Sequence, residues 1–124
     1  MSEAKHVLIV DDSLVSRMMI KKGLQALCPQ WQLSEAKNAD EALEQTKEHI
    51  FDLFSIDFNM PGMDGLELMA ELNQNFPEAP KALLTANIQD SIQEKTTALN
   101  GRCINKPITE KSIEQLVAYF NEAP

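Results

Sequence analysis

The chain has 124 residues, 44% hydrophobic and 24% charged, which fits one globular domain that needs no disulfide or structural metal. Its net charge of -8 disfavours nucleic-acid binding, because that binding requires basic side chains that neutralise phosphates. Cys28 and Cys103 lack the spacing of a metal site, and we expect two reduced thiols. The apolar run near the start is too short for a signal peptide or membrane span, so we expect a cytoplasmic protein without membrane insertion.

A predicted strand and helix open the chain. The run His6 to Val10 is β-branched and unbroken, and it stops at Asp11-Asp12-Ser13, which has turn and N-cap chemistry. The pattern from Leu14 to Leu27 predicts a helix that ends before Pro29, with Arg17 on its polar side. The apolar positions that recur at helical spacing and would form its buried face are Val15, Met19, Ile20, Gly23, Leu24 and Leu27.

The same alternation continues in the middle of the chain. Gln32 to Ala36 is a weak strand, and a capping-box pattern at Asn38 begins a helix that we expect to run to about His49. An apolar run from Phe51 then ends in one carboxylate, Asp57, and Pro and Gly follow at once. This pattern predicts a buried strand that delivers Asp57 to the edge of a sheet.

Further helix and strand signals follow this carboxylate. Asp64, with Glu67 three residues later, predicts the N-terminus of a helix that Pro77 ends. Lys81 to Thr85 is a short apolar run and a predicted strand.

The last third of the chain contains the remaining elements. Asn87 can cap a helix from Ile88 to about Leu99, and its sparse apolar positions predict loose packing. Arg102 to Asn105 is the final predicted strand, and Thr109 is the predicted cap of the last helix.

Five strands that alternate with five helices predict an α/β domain with a parallel sheet covered on both faces. Five such units are too few for a barrel, so we predict an open, doubly wound sheet. The physics of one sequence leaves the strand order open. We expect residues 1–124 to form this one domain.

Chemically important side chains follow four of the predicted strands. In a parallel sheet, the carboxyl ends of these strands would bring together Asp11-Asp12, Asp57, Thr85 and Lys106. Clustered carboxylates repel one another unless a cation lies among them, and Mg²⁺ prefers such oxygen ligands. Lys106 and Thr85 would supply a positive charge and a hydroxyl donor to a phosphoryl group on Asp57.

Each of these residues also has a simpler explanation. Asp11-Asp12-Ser13 could only cap a helix, Thr85 could be a loop hydroxyl, and Lys106 could be a solvated surface lysine. Asp57 is harder to explain in this way, because a carboxylate directly after a buried strand is costly without a partner. The combination of all four at strand ends favours a functional site.

The combination resembles the receiver domain of two-component response regulators, including the single-domain chemotaxis regulators, over Val7 to Phe120. The motifs that carry the resemblance are Asp11-Asp12, Asp57 with Met60-Pro61-Gly62-Met63-Asp64-Gly65, Thr85-Ala86 and Lys106-Pro107.

The resemblance implies a flavodoxin-like fold of strand order 2-1-3-4-5 and phosphorylation of Asp57 by a histidine kinase or a histidine phosphotransfer protein. It further implies a cis peptide bond between Lys106 and Pro107. The roles that it implies are direct Mg²⁺ ligation by Asp12 and Asp57, ligation through water by Asp11, a backbone carbonyl ligand from Asn59, and phosphoryl contacts from Thr85 and Lys106.

The chain departs from the family pattern at Cys103, where the family usually has Tyr or Phe three residues before the lysine. The resemblance therefore does not extend to coupling of Thr85 through a large ring. Either displacement of the loop after Thr85 and of the helix from Ile88 carries the output, or signalling does not use this surface. We expect no output domain, and hence output through an unknown protein target or onward phosphoryl transfer.

The main alternative function is an Mg²⁺-dependent phosphatase of the haloacid dehalogenase kind, which also uses an Asp nucleophile at a strand end. Those enzymes have a second Asp two residues later as general acid, whereas this chain has Asn59, which cannot exchange a proton in that way. A flavodoxin-like cofactor binder would need a Gly-rich phosphate loop, which the sequence lacks. We therefore expect a phosphoacceptor signalling protein rather than an enzyme.

Overall fold

A computed structural model of the chain describes residues 4–86 and 89–122. Five parallel strands form one sheet in the order β2-β1-β3-β4-β5, which confirms the doubly wound fold and the strand order that the resemblance implied. The strands are β1 (His6–Val10), β2 (Gln32–Ala36), β3 (Leu53–Asp57), β4 (Lys81–Thr85) and β5 (Gly101–Asn105).

Helices cover both faces of the sheet. They are α1 (Leu14–Leu27), α2 (Ala39–Glu48), α3 (Gly65–Asn75), α4 (Asp90–Ala98) and α5 (Glu110–Glu122). Alternate strand residues point to opposite faces, so Val7 and Ile9 pack under α1 and α5, whereas Leu8 and Val10 pack under α2 and α3. The two cores are separate layers on either side of one sheet.

Side chains at the helix starts explain where several helices begin. The hydroxyl of Ser13 accepts a hydrogen bond from Ser16 N, and α3 begins with the predicted reciprocal capping box of Asp64 and Glu67. The hydroxyl of Thr109 accepts from Ser112 N at the start of α5. Helices α1, α3 and α5 therefore follow strands at points that the sequence specifies locally.

The predicted buried face of α1 is wrong at three positions. Ile20 and Leu24 are buried against the sheet and α5, but Val15, Met19 and Leu27 are 66%, 45% and 50% exposed. The apolar stripe of this helix is wider than the surface that the sheet and α5 cover. The excess apolar surface faces outward.

Helix α4 begins later than predicted. Its first residue is Asp90, and Gln89 before it is extended and makes no side-chain capping bond. Asn87 and Ile88, the predicted cap and first helical residue, lie outside the described residues. Within α4 only Thr96 is buried, in agreement with the loose packing expected for this helix.

No helix in the described ranges is long and apolar enough to cross a membrane. Cys28 and Cys103 are both free thiols, the first buried and the second half-buried, as the sequence predicted.

Candidate functional site

Three carboxylates meet at the carboxyl edge of the sheet. Asp57 is the last residue of β3, and Asp11 and Asp12 directly follow β1, its neighbour in the sheet. Oxygen atoms of the three side chains lie within 4.8 Å of one another. Asp11 and Asp57 are only 1% and 6% exposed, whereas Asp12 is exposed and opens the cluster to solvent. The convergence predicted from the strand ends is therefore present in the fold.

Lys106 brings a positive charge into this cluster. Its Nζ lies 2.9 Å from Asp57 Oδ1 and 3.2 Å from Asp11 Oδ2. Its backbone N–H donates to the carbonyl oxygen of Thr85 at 3.0 Å, which continues the pairing of β5 with β4. The peptide bond between Lys106 and Pro107 is cis, as expected. Lys106 is therefore an ion-pair partner within the site and not a solvated surface lysine.

The charges in the cluster are incompletely balanced. Burial raises the pKa of Asp57 to about 6, and the negative charges of Asp11 and Asp12 add to this rise, while Lys106 opposes it. Burial opposes charging of Lys106, but its hydrogen bond to Asp57 and the charge of Asp11 leave its pKa above the ordinary lysine value. One ammonium group among three carboxylates leaves an excess of negative charge.

This donor set fits a hard divalent cation. Three carboxylates that share a small volume supply the oxygen ligands and negative charge that Mg²⁺ requires, and the exposed Asp12 leaves room for water ligands. Burial first, and the charges of Asp11 and Asp12 after it, keep the pKa of Asp57 raised despite the contact with Lys106. A further cation would lower it.

Two residues that hold the site were not identified as functional from the sequence. The helical pattern places Arg17 on the polar side of α1 without indicating a role, and its Nη1 donates to the backbone carbonyl oxygen of Asp11 at 2.6 Å. Gly65, at the start of α3, packs against the end of β3. A Cβ atom at Gly65 would lie 2.5 Å from the carbonyl oxygen of Asp57 and 2.9 Å from the Cα of Phe58. Helix α3 can approach β3 this closely only with glycine at that position.

The remaining predicted site residues lie around the cluster. Thr85 is buried at the end of β4, next to β3 in the sheet. Asn59 is exposed in the loop two residues after Asp57. Cys103 is half-buried on β5, and its thiol lies 3.4 Å from the hydroxyl of Thr96 on α4.

The chain is similar to known signalling proteins over nearly its whole length. The family model for the response regulator receiver domain matches residues 7–118. The chain is 36% identical to the chemotaxis protein CheY of Bacillus subtilis over 94 residues, which cover 72% of this chain and 73% of CheY. It is 34% identical to the sensor protein EvgS of Escherichia coli over 108 residues, or 86% of this chain, and spans only 9% of the length of EvgS.

Solved structures show the same fold. The response regulator domain of Thermotoga maritima CheB has a TM-score of 0.86 at 23% identity, with 98% of this chain and 96% of that chain covered. The Vibrio cholerae chemotaxis response regulator CheY4 has a TM-score of 0.85 at 24% identity, with 95% and 99% covered.

Proposed function

Because the chain belongs to the response regulator receiver-domain family, whose members are signalling proteins switched by phosphorylation, we propose that Asp57 is its phosphoacceptor. The observation that carries this proposal is the position of Asp57. Its buried carboxylate lies at a strand end, 2.9 Å from Lys106 and within a cluster of carboxylates that fits a divalent cation.

The proposed reaction is transfer from a phosphohistidine to Asp57. The N–P bond of the donor breaks, its electron pair stays on the imidazole nitrogen, and a P–O bond forms with one carboxylate oxygen of Asp57. This oxygen attacks in its ionised form, and with a pKa of about 6 most Asp57 side chains are ionised at neutral pH. Lys106 is placed to contact the oxygens of the new acyl phosphate.

We assign the Mg²⁺ ligands to Asp12 and Asp57 directly, Asp11 through water, and the backbone carbonyl of Asn59. When bound, the ion would supply positive charge that offsets the charge of the phosphoryl group during transfer. The protein contributes a fixed set of carboxylates and the ammonium group of Lys106. Positioning and charge stabilisation are the main demands of phosphoryl transfer.

The proposed switch lies in β4, α4 and β5. Phosphorylation adds up to about two negative charges beside Lys106, and we assign Thr85 as the hydroxyl that moves towards them. Cys103 cannot act as a swinging ring, but its contact with Thr96 joins β5 to the one buried side chain of α4. The Thr96 hydroxyl in turn donates to the carbonyl oxygen of Ile92 at 2.7 Å. Displacement of α4 through this contact would change the surface that a downstream protein reads.

The phosphodonor needs a surface next to Asp57, and we assign it to the exposed apolar residues of α1. Leu14, Val15 and Met18 are 59%, 66% and 57% exposed, and α1 begins two residues after Asp12. A histidine kinase or phosphotransfer protein that covered them would bring its phosphohistidine to the acidic cluster. Burial of this apolar surface would supply the affinity.

Acetyl phosphate and Mg²⁺ are expected to add one phosphoryl group to the chain, measured as a gain in intact mass, and Asp57→Asn is expected to abolish it. The amide cannot act as the nucleophile, although it preserves the size of the side chain. The matched control is Asp40→Asn, an exposed carboxylate on α2, which should be phosphorylated as the wild type is. Phosphorylation that survived Asp57→Asn would refute the assignment.

A phosphatase of the haloacid dehalogenase kind would behave differently in the same preparation. It would hydrolyse p-nitrophenyl phosphate over many turnovers, whereas a receiver is expected to show no sustained hydrolysis of phosphate esters. Asn59, in place of a general acid, supports the receiver.

Gly65→Ala is expected to slow phosphorylation by acetyl phosphate by about tenfold or more, because a 1 Å displacement of a reacting group can cost this much. The added methyl group would push on the carbonyl of Asp57 itself. Gly62→Ala, in the loop just before α3, is the control: it strains a backbone φ of 78° but meets no atom within 4 Å. Initial rates at saturating Mg²⁺ should separate the two variants, and equal rates would contradict the role of Gly65.

A further inference from the structure

The side chain of Arg17 on α1 contacts the backbone of the loop that contains Asp11 and Asp12. Its Nη1 donates to the backbone carbonyl oxygen of Asp11 at 2.6 Å, and its Nε donates to Glu35 Oε1 at 3.1 Å. The Arg17 side chain is only 13% exposed. The planar guanidinium therefore bridges a loop carbonyl and a carboxylate, which a lysine ammonium on a flexible stem is poorly suited to do.

The carboxylate partner of Arg17 is itself held in place. Glu35 lies on β2 opposite Ile9 of β1, and Lys21 Nζ lies 3.3 Å from its second carboxylate oxygen. The side-chain amide of Gln45 donates to the backbone carbonyl of Glu35 at 2.6 Å. Arg17 is therefore fixed between the ends of two paired strands, and its charge is balanced outside the acidic cluster.

The Asp11 carbonyl belongs to the peptide that joins Asp11 to Asp12. The Asp11 N–H donates to the carbonyl oxygen of Ala36, and Asp11 Oδ1 accepts from Ser13 N at 2.9 Å. These bonds fix Asp11 itself. The bond from Arg17 fixes the plane of the next peptide, which determines where the exposed Asp12 side chain starts.

We propose that Arg17 is a positioning residue that holds the Asp11–Asp12 peptide so that the Asp12 carboxylate stays directed at the divalent cation beside Asp57. This inference rests on the proposed function, in which the acidic cluster binds Mg²⁺. Arg17 itself touches neither the cation nor the phosphoryl group. Its contribution is to metal affinity and not to the transfer step.

The test compares Arg17→Met with Lys21→Met by isothermal titration with Mg²⁺. Both variants lose one cation beside Glu35, but only Arg17 contacts the Asp11 carbonyl. We expect Arg17→Met to weaken Mg²⁺ binding by about 10- to 100-fold, the usual effect of losing a residue that orients a metal ligand. Lys21→Met, which breaks only a partly exposed ion pair, should change the affinity for Mg²⁺ by less than about twofold. The rise in Tm that Mg²⁺ induces should be clearly smaller in Arg17→Met than in the wild type, and nearly unchanged in Lys21→Met.

Three further measurements separate positioning from other roles. At saturating Mg²⁺, the rate at which acetyl phosphate phosphorylates Arg17→Met should return to within about threefold of the wild-type rate. The reason is that a residue that only orients a metal ligand acts through the affinity for the metal. Arg17→Lys keeps the positive charge but cannot connect the Asp11 carbonyl to Glu35 as the guanidinium does. Wild-type affinity for Mg²⁺ in this variant would overturn the inference. If Arg17→Met fails to fold, Glu35→Ala removes the carboxylate that accepts from the Arg17 guanidinium and leaves Arg17 intact, and it should weaken Mg²⁺ binding in the same direction.

The outcomes distinguish this inference from the function on which it rests. A wild-type chain that binds no Mg²⁺ would refute the proposed metal site. A wild-type chain that binds Mg²⁺ and an Arg17→Met variant of equal affinity would leave the site intact and refute the role of Arg17.

Discussion

Asp57→Asn is expected to raise the free energy of unfolding at pH 7 by about 1 to 3 kcal/mol in the absence of Mg²⁺, while it abolishes phosphorylation. The physical reason is the electrostatic cost of the site. Burial, with the neighbouring charges of Asp11 and Asp12, raises the pKa of Asp57 to about 6, so an ionised Asp57 destabilises the fold. The amide removes this charge and retains an oxygen that can accept from Lys106.

The pH dependence has a defined sign. The folded-state pKa of Asp57 is about 6, above the ordinary value of 3.8, so the folded protein binds more protons between these two values. The contribution of Asp57 to stability is therefore fully present below pH 3.8 and is lost as the pH rises through about 6. The difference between the wild type and Asp57→Asn should be small in acid and reach its full size above pH 6.

Urea denaturation of both proteins at several pH values between about 4 and 7.5 measures this difference. The upper limit avoids Lys81, because burial lowers the pKa of this lysine to about 8 and its own contribution changes above that pH. Asp40→Asn on the surface of α2 is the control and should shift stability little at any pH. A variant less stable than the wild type at pH 7, or a difference that does not grow with pH, would contradict the proposed charge imbalance.

The sequence predicted the acidic cluster with Lys106 because its members are specified by strand ends. Asp11-Asp12 and Lys106 directly follow predicted strands and Asp57 ends one, and the parallel sheet places the carboxyl ends of those strands at one edge. Strand order required the family resemblance, because local patterns do not encode which strands pair. The residues that support the cluster left no such signal. Arg17 acts through the direction of its long side chain, and Gly65 through the close approach of a helix to a strand.

The helix predictions failed where tertiary contacts decide the outcome. Periodicity found α1, but it could not predict that α5 and the sheet cover only the stripe containing Ile20 and Leu24. The start of α4 has no capping side chain at Gln89, so the sequence offered no local signal for a helix that begins at Asp90. Both deviations fall on elements that we assign to partner contacts.

Val15→Asp is expected to reduce phosphoryl transfer from a phosphorylated histidine phosphotransfer domain by about 30-fold or more, the usual loss at a central interface residue. The wild-type side chain is 66% exposed in the middle of an apolar surface beside the acidic cluster. An added carboxylate would have to lose its water against an apolar partner surface. Transfer is measured as initial rates with a donor that phosphorylates the wild-type chain.

Acetyl phosphate separates docking from chemistry in this variant. The small donor needs no protein surface, so Val15→Asp should accept its phosphoryl group at the wild-type rate. Ile50→Asp is the matched control, because Ile50 is 80% exposed but precedes β3, at the opposite end of the strand from Asp57. Ile50→Asp changes the net charge of the chain by the same amount as Val15→Asp, and it should leave transfer from both donors unchanged.

The apolar surface of α1 would be disproved as the docking site if Val15→Asp and Ile50→Asp gave equal transfer from the protein donor. It would also be disproved if Val15→Asp slowed both donors equally, since the substitution would then act on the acidic cluster itself. Leu14 and Met18, on the same exposed face, extend the test, and their substitution by Asp should add to the loss with the protein donor alone. The wide apolar stripe that α1 does not bury in the fold would then have its explanation in the contact with the phosphodonor.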